Sequence, residues 1–284
     1  VYGHPAVGVR LDGYREVAIH GRESPGWELP LVPPRDARLI RDALASLPGA
    51  PAGGTLELAG TLPTSVGFGS SAAFCTALLQ AHQPDRRWTR HELWQEAHEL
   101  ERIFHGTPSG IDTGLSVHPG ASIIRPDPPG LPRRDPLHLP DSVLLVGAVP
   151  RTSSTADLVA GIRRMRERDE ASVDRTLHRL GTLAETVGDP RHCGSAEQMG
   201  RAASEAHGLL ASMGLSTPEL ELMVGELRES GALGAKLSGA GGGGAFYGVF
   251  ASHAAAELAA GWVRRAAESR AIDLTYLDLM SIRR

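Results

Sequence analysis

The chain has 284 residues, 41% of them hydrophobic, and a formal net charge of −4 at pH 7. A slightly acidic chain has no basic surface for nucleic-acid phosphates, so the composition argues against nucleic-acid binding. No apolar run approaches the length of a membrane span, which argues against a membrane protein. The two cysteines, Cys75 and Cys193, stand far apart without metal-binding spacing, which favours a reducing, cytoplasmic setting. The length suits two domains.

The N-terminal region predicts strands and one helix. Residues 6–11 and 16–20 predict two strands, and the Asp-Gly pair at 12–13 is typical of a tight hairpin between them. Residues 37–47 have the apolar spacing of a short amphipathic helix, and residues 55–59 alternate as a strand does. We therefore expect a hairpin, a helix and a further strand in this order.

A loop rich in glycine and serine follows at residues 60–71, and the alanine-rich residues 72–81 predict a helix directly after it. Such a helix start is an anion site, because its N–H groups are unpaired and the helix dipole is positive there. Two glycines let the backbone approach an anion, and two serines add hydroxyl groups. These residues are Gly67, Gly69, Ser70 and Ser71. An ordinary turn capped by Ser70 stays open as the alternative, since the loop matches neither the Walker A nor the Rossmann pattern.

Thr89 predicts the start of another helix, because Glu92 lies three residues further on and completes a capping box. An apolar stripe at helical spacing predicts the buried face of this helix. The stripe consists of Leu93, Ala97, Leu100 and Phe104. Glu101 lies on the flank of this stripe, an unfavourable place for a carboxylate. Two interpretations stay open: the carboxylate reaches water at the edge of the core, or it binds a cation.

The helix is predicted to end at His105, before Gly106. Thr107 and Pro108 then predict the N-cap and first residue of a short helix, with Asp112 in its first turns. By position alone, Asp112 is a carboxylate that interacts with the helix dipole, a common and minor role.

Residues 126–140 contain six prolines and predict a linker. We therefore expect one domain at residues 1–140 and a second at residues 141–284. In the second domain, residues 142–149 predict a buried strand. Further helices are predicted at 154–168, 172–187, 195–213, 217–231 and 252–270, and a last strand at 272–279. Residues 235–246 predict two short strands around a glycine-rich loop, whose composition indicates that the backbone passes close to another group.

Three of these segments resemble motifs of one kinase superfamily. Residues 63–73 (PTSVGFGSSAA) resemble the nucleotide loop of the GHMP kinases, P-x-x-x-G-[LF]-G-S-S-A-A, with phenylalanine where leucine is commoner. Residues 236–243 (KLSGAGGG) resemble the C-terminal glycine motif of that superfamily. Residues 105–112 (HGTPSGID) are similar to the stretch that distinguishes mevalonate kinases within it. Further similarity lies at residues 1–7, 149–151 and 155–161.

The resemblance implies an α+β, two-domain GHMP kinase fold. Its N-terminal domain would be like domain 2 of ribosomal protein S5, its C-terminal domain ferredoxin-like, and the active site would lie in the cleft between them. The implied activity is the phosphorylation of mevalonate to 5-phosphomevalonate with ATP and Mg²⁺, a step of isoprenoid synthesis. The implied partner is this small substrate, with neither nucleic acid nor membrane, and a homodimer is left open.

The resemblance also implies residue roles. Ser71 and Glu101 would hold Mg²⁺, and Asp112 would be the catalytic carboxylate facing the accepting hydroxyl. The nucleotide would be bound by both glycine-rich loops and by one residue at a helix start. These nucleotide-binding residues are Val66, Gly67, Phe68, Gly69, Ser70, Ser71, Ala72, Thr155, Gly239, Ala240, Gly241 and Gly242. The carboxylate of mevalonate calls for a cation, for which Arg151 and His20 are candidates, each with a structural or solvated alternative.

One departure from the superfamily concerns the first motif. A lysine near its start is expected to assist Asp112, and the chain begins at Val1, after that point. We interpret this as a missing start. Two alternatives stay open: a kinase for another small alcohol, such as phosphomevalonate or a sugar, and a nucleotide-binding relative without catalysis. A Rossmann-type dehydrogenase is disfavoured, because neither glycine-rich loop has the required spacing.

Overall fold

The computed structural model describes residues 3–11, 15–23, 25–30, 32, 34–61, 63–64, 66–128 and 130–282. The strands are β1 (Ala6–Val9), β2 (Arg15–Arg22), β3 (Gly26–Glu28), β4 (Gly53–Gly60), β5 (Ala121–Arg125), β6 (Arg133–Leu137), β7 (Ser142–Val149), β8 (Gly234–Leu237), β9 (Gly244–Phe250) and β10 (Tyr276–Ile282). The helices are α1 (Pro34–Ser46), α2 (Ser70–His82), α3 (Arg90–His105), α4 (Ile111–Val117), α5 (Thr155–Arg168), α6 (Glu170–Gly188), α7 (Ala196–Ser212), α8 (Pro218–Glu229) and α9 (His253–Ser269). Among the described residues, no helix has the length and apolarity that crossing a bilayer would require.

The N-terminal half contains two three-stranded sheets, ordered β2-β4-β3 and β1-β5-β6. Strand β4 lies antiparallel to β2 and parallel to β3. Helix α2 packs against β2, α3 and α4. The core between these elements is aliphatic and aromatic, with Leu56, Phe74, Leu78 and Trp94 among its buried members. This core fixes the start of α2 beside the end of α3.

The C-terminal half is built on a four-stranded antiparallel sheet ordered β10-β7-β9-β8. The fourth, first, third and second strands thus lie side by side, as the expected ferredoxin-like fold requires. Because side chains alternate along a strand, β7 buries Leu145 against α8 and α9 and Leu144 on the other face, in a core shared with α7. Both faces are covered, which explains the continuous apolar sequence of β7.

The predicted hairpin between the first two strands is wrong. Strand β1 pairs with β5, and β2 pairs with β4, so the two strands lie in different sheets. The turn at residues 12–14 lies outside the described residues. An Asp-Gly pair favours a reversal of the chain but does not determine which strand becomes the partner, and β2 forms an eight-residue ladder with β4.

The predicted linker at residues 126–140 is wrong in its middle, where β6 pairs antiparallel with β5. Strand β6 is an edge strand, so Pro136 costs no hydrogen bond to a further neighbour. A proline-rich segment can therefore contain an edge strand as well as loops. The domain boundary between residues 140 and 141 stays a prediction.

Several helix starts differ from the predictions: α1 begins at Pro34 and α6 at Glu170, and two further differences lie near the site. Helix α2 begins at Ser70, two residues earlier than predicted. Helix α4 begins at Ile111 after Gly110, which has a φ of 76°, so Thr107 and Pro108 do not start it. The Trp94 indole donates to the Gly110 carbonyl at 3.0 Å, which anchors this later start. The capping box at Thr89 is confirmed, and α3 extends from Arg90 to His105.

Candidate active site

The open start of helix α2 forms one wall of the site. Its N-cap is Gly69, which has a φ of 65° and offers no side-chain hydrogen bond to the first turn. Ser70 lies inside the helix, so the alternative of a turn capped by Ser70 does not describe this loop. The amides of the first turn are therefore available to an anion, and the helix dipole favours one.

A polar cluster links the start of α2 to the end of α3. Glu101 is only 2% exposed, and the Ser71 hydroxyl donates to its Oε1 at 3.2 Å. His105 Nε2 lies 3.0 Å from the same Ser71 oxygen. Glu101 and His105 are four residues apart, which places them on one face of α3. The flank position predicted for Glu101 thus becomes a buried position that faces Ser71.

Asp112 lies against the first glycine loop. A Cβ added at Gly69 would be 3.2 Å from the Asp112 Cβ, so the two residues are direct neighbours. Asp112 is accessible to solvent, but it lies in a cleft that is lined by protein groups. Burial in this cleft raises the pKa of Asp112, while the nearby His105 and Arg151 lower it. Its carboxylate therefore lies in a less polar setting than an ordinary surface aspartate.

Two carboxylates share this site. The pKa of Glu101 is raised to about 8, mainly by burial and also by repulsion from Asp112, while the Ser71 hydrogen bond opposes the shift. Two hard oxygen donors near a hydroxyl suit Mg²⁺, which binds proteins through one or two carboxylates. Ser71, Glu101 and Asp112 therefore fit a divalent cation chemically.

Arg151 reaches the site from the C-terminal half. Its Nη2 donates to Thr155 Oγ1 at 3.2 Å and to the Gly241 carbonyl at 3.4 Å. Burial lowers the pKa of Arg151, and the charge of Asp112 raises it, so the two groups interact. Thr155 is the first residue of α5 and lies beside this guanidinium. The other proposed cation, His20, lies 4.0 Å from Glu57 on the exposed surface of β2 and β4.

The two glycine-rich loops meet beside the cleft. A Cβ added at Gly239 would be 3.7 Å from the Gly67 carbonyl, and one at Gly244 would be 2.7 Å from the Val66 carbonyl. The Phe68 ring packs edge-on against Tyr276 of the C-terminal sheet, with ring centroids 5.2 Å apart. The loops of the two halves are therefore in contact at the predicted nucleotide site.

Sequence reasoning did not assign a role to His105. Its ring contacts Ser71, and burial and Arg151 lower its pKa while Asp112 raises it. The helical spacing between Glu101 and His105 is the signal that could have pointed to it. The electrostatic interaction between Arg151 and Asp112, by contrast, joins two halves of the chain and has no local signature.

Comparison with known proteins agrees with this architecture. The family model for the GHMP kinases N terminal domain matches residues 37–120, and that for the GHMP kinases C terminal region matches residues 183–268. A mevalonate kinase of Archaeoglobus fulgidus is 31% identical over 209 residues, which cover 73% of this chain and 68% of that protein. The chain belongs to the GHMP kinase superfamily.

Further relatives extend the comparison. A mevalonate kinase of Thermococcus gammatolerans is 32% identical over 200 residues, which cover 68% of this GHMP kinase chain and 58% of that relative. The matched part thus spans somewhat more than half the length of that relative. The crystal structure of L. major mevalonate kinase in complex with R-mevalonate has a TM-score of 0.78 and 23% identity, covering 99% of this chain and 90% of that chain. This last likeness shows the shared fold.

Proposed function

We propose that this chain is an ATP-dependent kinase that phosphorylates mevalonate to 5-phosphomevalonate. The observation that carries the proposal is the placement of Ser71, Glu101 and Asp112 at the open start of α2. Phosphoryl transfer from a nucleotide needs a phosphate site, ligands for Mg²⁺ and a carboxylate near the accepting hydroxyl. The names of the curated relatives, which are mevalonate kinases, support the choice of substrate.

In this proposal the start of α2 binds the phosphates of ATP. The backbone amides after Gly69 would face the phosphate oxygens, and the positive φ of Gly67 and Gly69 would let the loop follow them. Ser71 and Glu101 would hold Mg²⁺, with Asp112 close by. Bound Mg²⁺ would neutralise charge on the transferred phosphoryl group. Phe68 and Thr155 line the site, together with the second loop from Gly239 to Gly242.

Asp112 is the proposed base. The alcohol oxygen forms a bond to the γ-phosphorus, while the bond from that phosphorus to the bridging oxygen of ADP breaks. The hydroxyl proton passes to Asp112, and ADP leaves. A carboxylate whose pKa is raised by burial accepts a proton more readily than a surface aspartate does. Arg151 is the proposed partner for the carboxylate of mevalonate, because its half-buried guanidinium interacts electrostatically with Asp112.

The direct test measures ADP release from MgATP by the full-length gene product. Mevalonate, phosphomevalonate and a panel of sugars are compared at equal concentration. Fastest turnover with mevalonate supports the proposal. Faster transfer to another alcohol would assign a different substrate to the same site, and nucleotide binding without turnover on any alcohol would favour a non-catalytic relative.

The Asp112→Asn variant tests the proposed base. Loss of a positioned general base typically reduces the rate by about 10²- to 10⁴-fold, so kcat should fall by that range while ATP affinity stays close to wild type. Stopped-assay turnover and calorimetric ATP titration provide the two readings. Asp42→Asn on the exposed surface of α1 is the matched control and should retain activity. Undiminished turnover in Asp112→Asn would exclude Asp112 as the base.

A further inference from the structure

The Ser71 hydroxyl has two neighbours that compete for a single proton. Glu101 Oε1 lies 3.2 Å from its oxygen and His105 Nε2 lies 3.0 Å from it. A serine hydroxyl carries one hydrogen and two lone pairs. When Ser71 donates to Glu101, the His105 Nε2 must carry a hydrogen and donate to Ser71. When Ser71 donates to His105, the imidazole must be neutral with its hydrogen on Nδ1.

A cation at the proposed site would decide between these two arrangements. If Ser71 and Glu101 both turn an oxygen lone pair toward the same cation, the hydroxyl hydrogen must point away from it. Among the described residues, His105 Nε2 is the other acceptor within hydrogen-bond distance of the Ser71 oxygen. The imidazole would thus receive the hydrogen and fix the direction of the lone pairs. Groups that orient metal ligands in this way commonly change metal affinity by about 10- to 100-fold when removed.

The position of His105 suits this task more than a packing role. It is the last residue of α3, and Gly106 follows with a φ of 65°. His105 is an exposed residue, whereas the buried side chains of α3 include Leu93, Trp94 and Ala97. Removing the imidazole therefore leaves the core of the N-terminal half in place.

We propose that His105 is a positioning residue that holds the Ser71 hydroxyl for the cation shared with Glu101. The inference rests on the proposed function only in so far as the site binds Mg²⁺ with a nucleotide. It goes beyond the predicted ligand set, in which Ser71 and Glu101 act alone. His105 itself contacts neither the nucleotide nor the alcohol in this account.

The test measures nucleotide binding as a function of Mg²⁺ concentration, without mevalonate. Calorimetric titrations of ADP into the full-length protein give the Mg²⁺ concentration at which half of the Mg²⁺-dependent gain in affinity is reached. In His105→Ala this concentration should rise about tenfold, while ADP affinity without Mg²⁺ stays unchanged. His105→Gln, whose amide can accept the same hydrogen bond, should restore most of the loss. His91→Ala, an exposed histidine on the first turn of α3, is the matched control.

Variants of the proposed ligands separate the possible failures. If Ser71→Ala and Glu101→Gln shift the Mg²⁺ curve and His105→Ala does not, the positioning role is wrong and the proposed metal site stands. If none of the three shifts it, both proposals fail. Equal impairment in His105→Ala and His105→Gln would also overturn the positioning role, since the Gln variant keeps the acceptor. A shifted curve in a protein inactive on mevalonate would keep the role and reject the substrate.

Discussion

The two glycine-rich loops use glycine for different reasons. In the first loop, residues 66–69, a Cβ added at Gly67 would have its nearest neighbour 3.9 Å away, at the Ala245 amide. In the second loop, residues 239–243, a Cβ at Gly241 would lie 2.1 Å from the Leu215 carbonyl. One at Gly243 would lie 2.2 Å from the Pro150 carbonyl. A methyl group at Gly67 would make only ordinary van der Waals contacts, whereas at Gly241 and Gly243 the second loop is packed against the protein's own backbone.

This difference shows what the glycines of each loop contribute. The sequence predicts that the backbone of the second loop passes close to another group, and the group that approaches Gly241 and Gly243 is protein backbone. Hydrogen bonds hold the loop there, because Gly242 donates to the Leu215 carbonyl at 2.9 Å and accepts from the Thr152 amide at 2.8 Å. The first loop, by contrast, has room for a methyl group at Gly67. The second loop therefore serves as a fixed wall beside the more open first loop.

The largest expected effect is the loss of stability in Gly243→Ala. The added methyl would overlap the Pro150 carbonyl and lie 2.9 Å from the Arg151 Cα, at a φ of 89°. These backbone atoms of Pro150 and Arg151 cannot move aside as the end of a flexible side chain can. We expect a cost above about 4 kcal/mol or failure to fold, which is an exceptional value for a single methyl group. Urea unfolding followed by circular dichroism measures it.

Gly67→Ala is the matched substitution in the first loop, with the same φ of 89° and no close neighbour. It should cost only about 1 kcal/mol, from the left-handed backbone conformation, and should weaken nucleotide binding. Similar losses of stability in both variants would contradict the contrast between the loops. Unchanged ADP affinity in Gly67→Ala would contradict the proposed role of the first loop in nucleotide binding.

Local rules of sequence predict much of the scaffold and part of the site. The capping box at Thr89 and the apolar spacing that follows it specify α3, and Glu101 is noticeable on this helix as a charge beside the apolar stripe. Pairings between distant segments are different. Ala6 pairs with Ile124, and Ser71 meets His105 across 34 residues of chain, so neither contact leaves a local pattern. The resemblance to a family supplied the roles that spacing alone left open.

The next expected effect concerns the free-energy cost of burying the charged Glu101 carboxylate beside the first loop. Its pKa is raised to about 8 from an ordinary value of 4.5, so the native state without Mg²⁺ binds this proton more tightly than the unfolded state does. The free energy of unfolding must then decrease as the pH rises from about 4.5 to 8. Glu101→Gln removes this decrease and should stabilise the Mg²⁺-free protein at pH 8, on the order of 2 to 4 kcal/mol.

Thermal unfolding in the presence of a chelator, at pH 5 and at pH 8, measures this gain. The difference between Glu101→Gln and wild type should be small at pH 5 and large at pH 8. Glu99→Gln, on the exposed face of the same helix, should show no such pH dependence. A gain that is equal at both pH values would mean that the burial of charge at Glu101 is not its source.

The smallest expected effect tests how the second loop is held from outside the cleft. Strand β8, which leads into this loop, is an edge strand, and two side chains of α7 bind its outer amides. Ser204 Oγ accepts from the Ala235 amide at 3.2 Å, and His207 Nδ1 accepts from the Leu237 amide at 3.3 Å. These contacts cover polar groups that an edge would otherwise leave unpaired. The hydrogen bond to His207 requires a neutral imidazole whose Nδ1 carries no hydrogen.

Burial is the main reason why the pKa of His207 is lowered; Arg228 and Lys236 lower it further, and Glu221 raises it. The unfolded state therefore binds the proton more readily, so the contribution of neutral His207 is present above about pH 6.5 and is lost as the pH falls below it. His207→Asn keeps an acceptor near the Leu237 amide and does not titrate. It should reduce the loss of unfolding free energy between pH 7 and pH 5 relative to wild type, because the variant has no group at this position that takes up a proton in that range. The same pH profile in both proteins would show that His207 titrates alike folded and unfolded, and that the wall formed by the second loop does not depend on its neutral form.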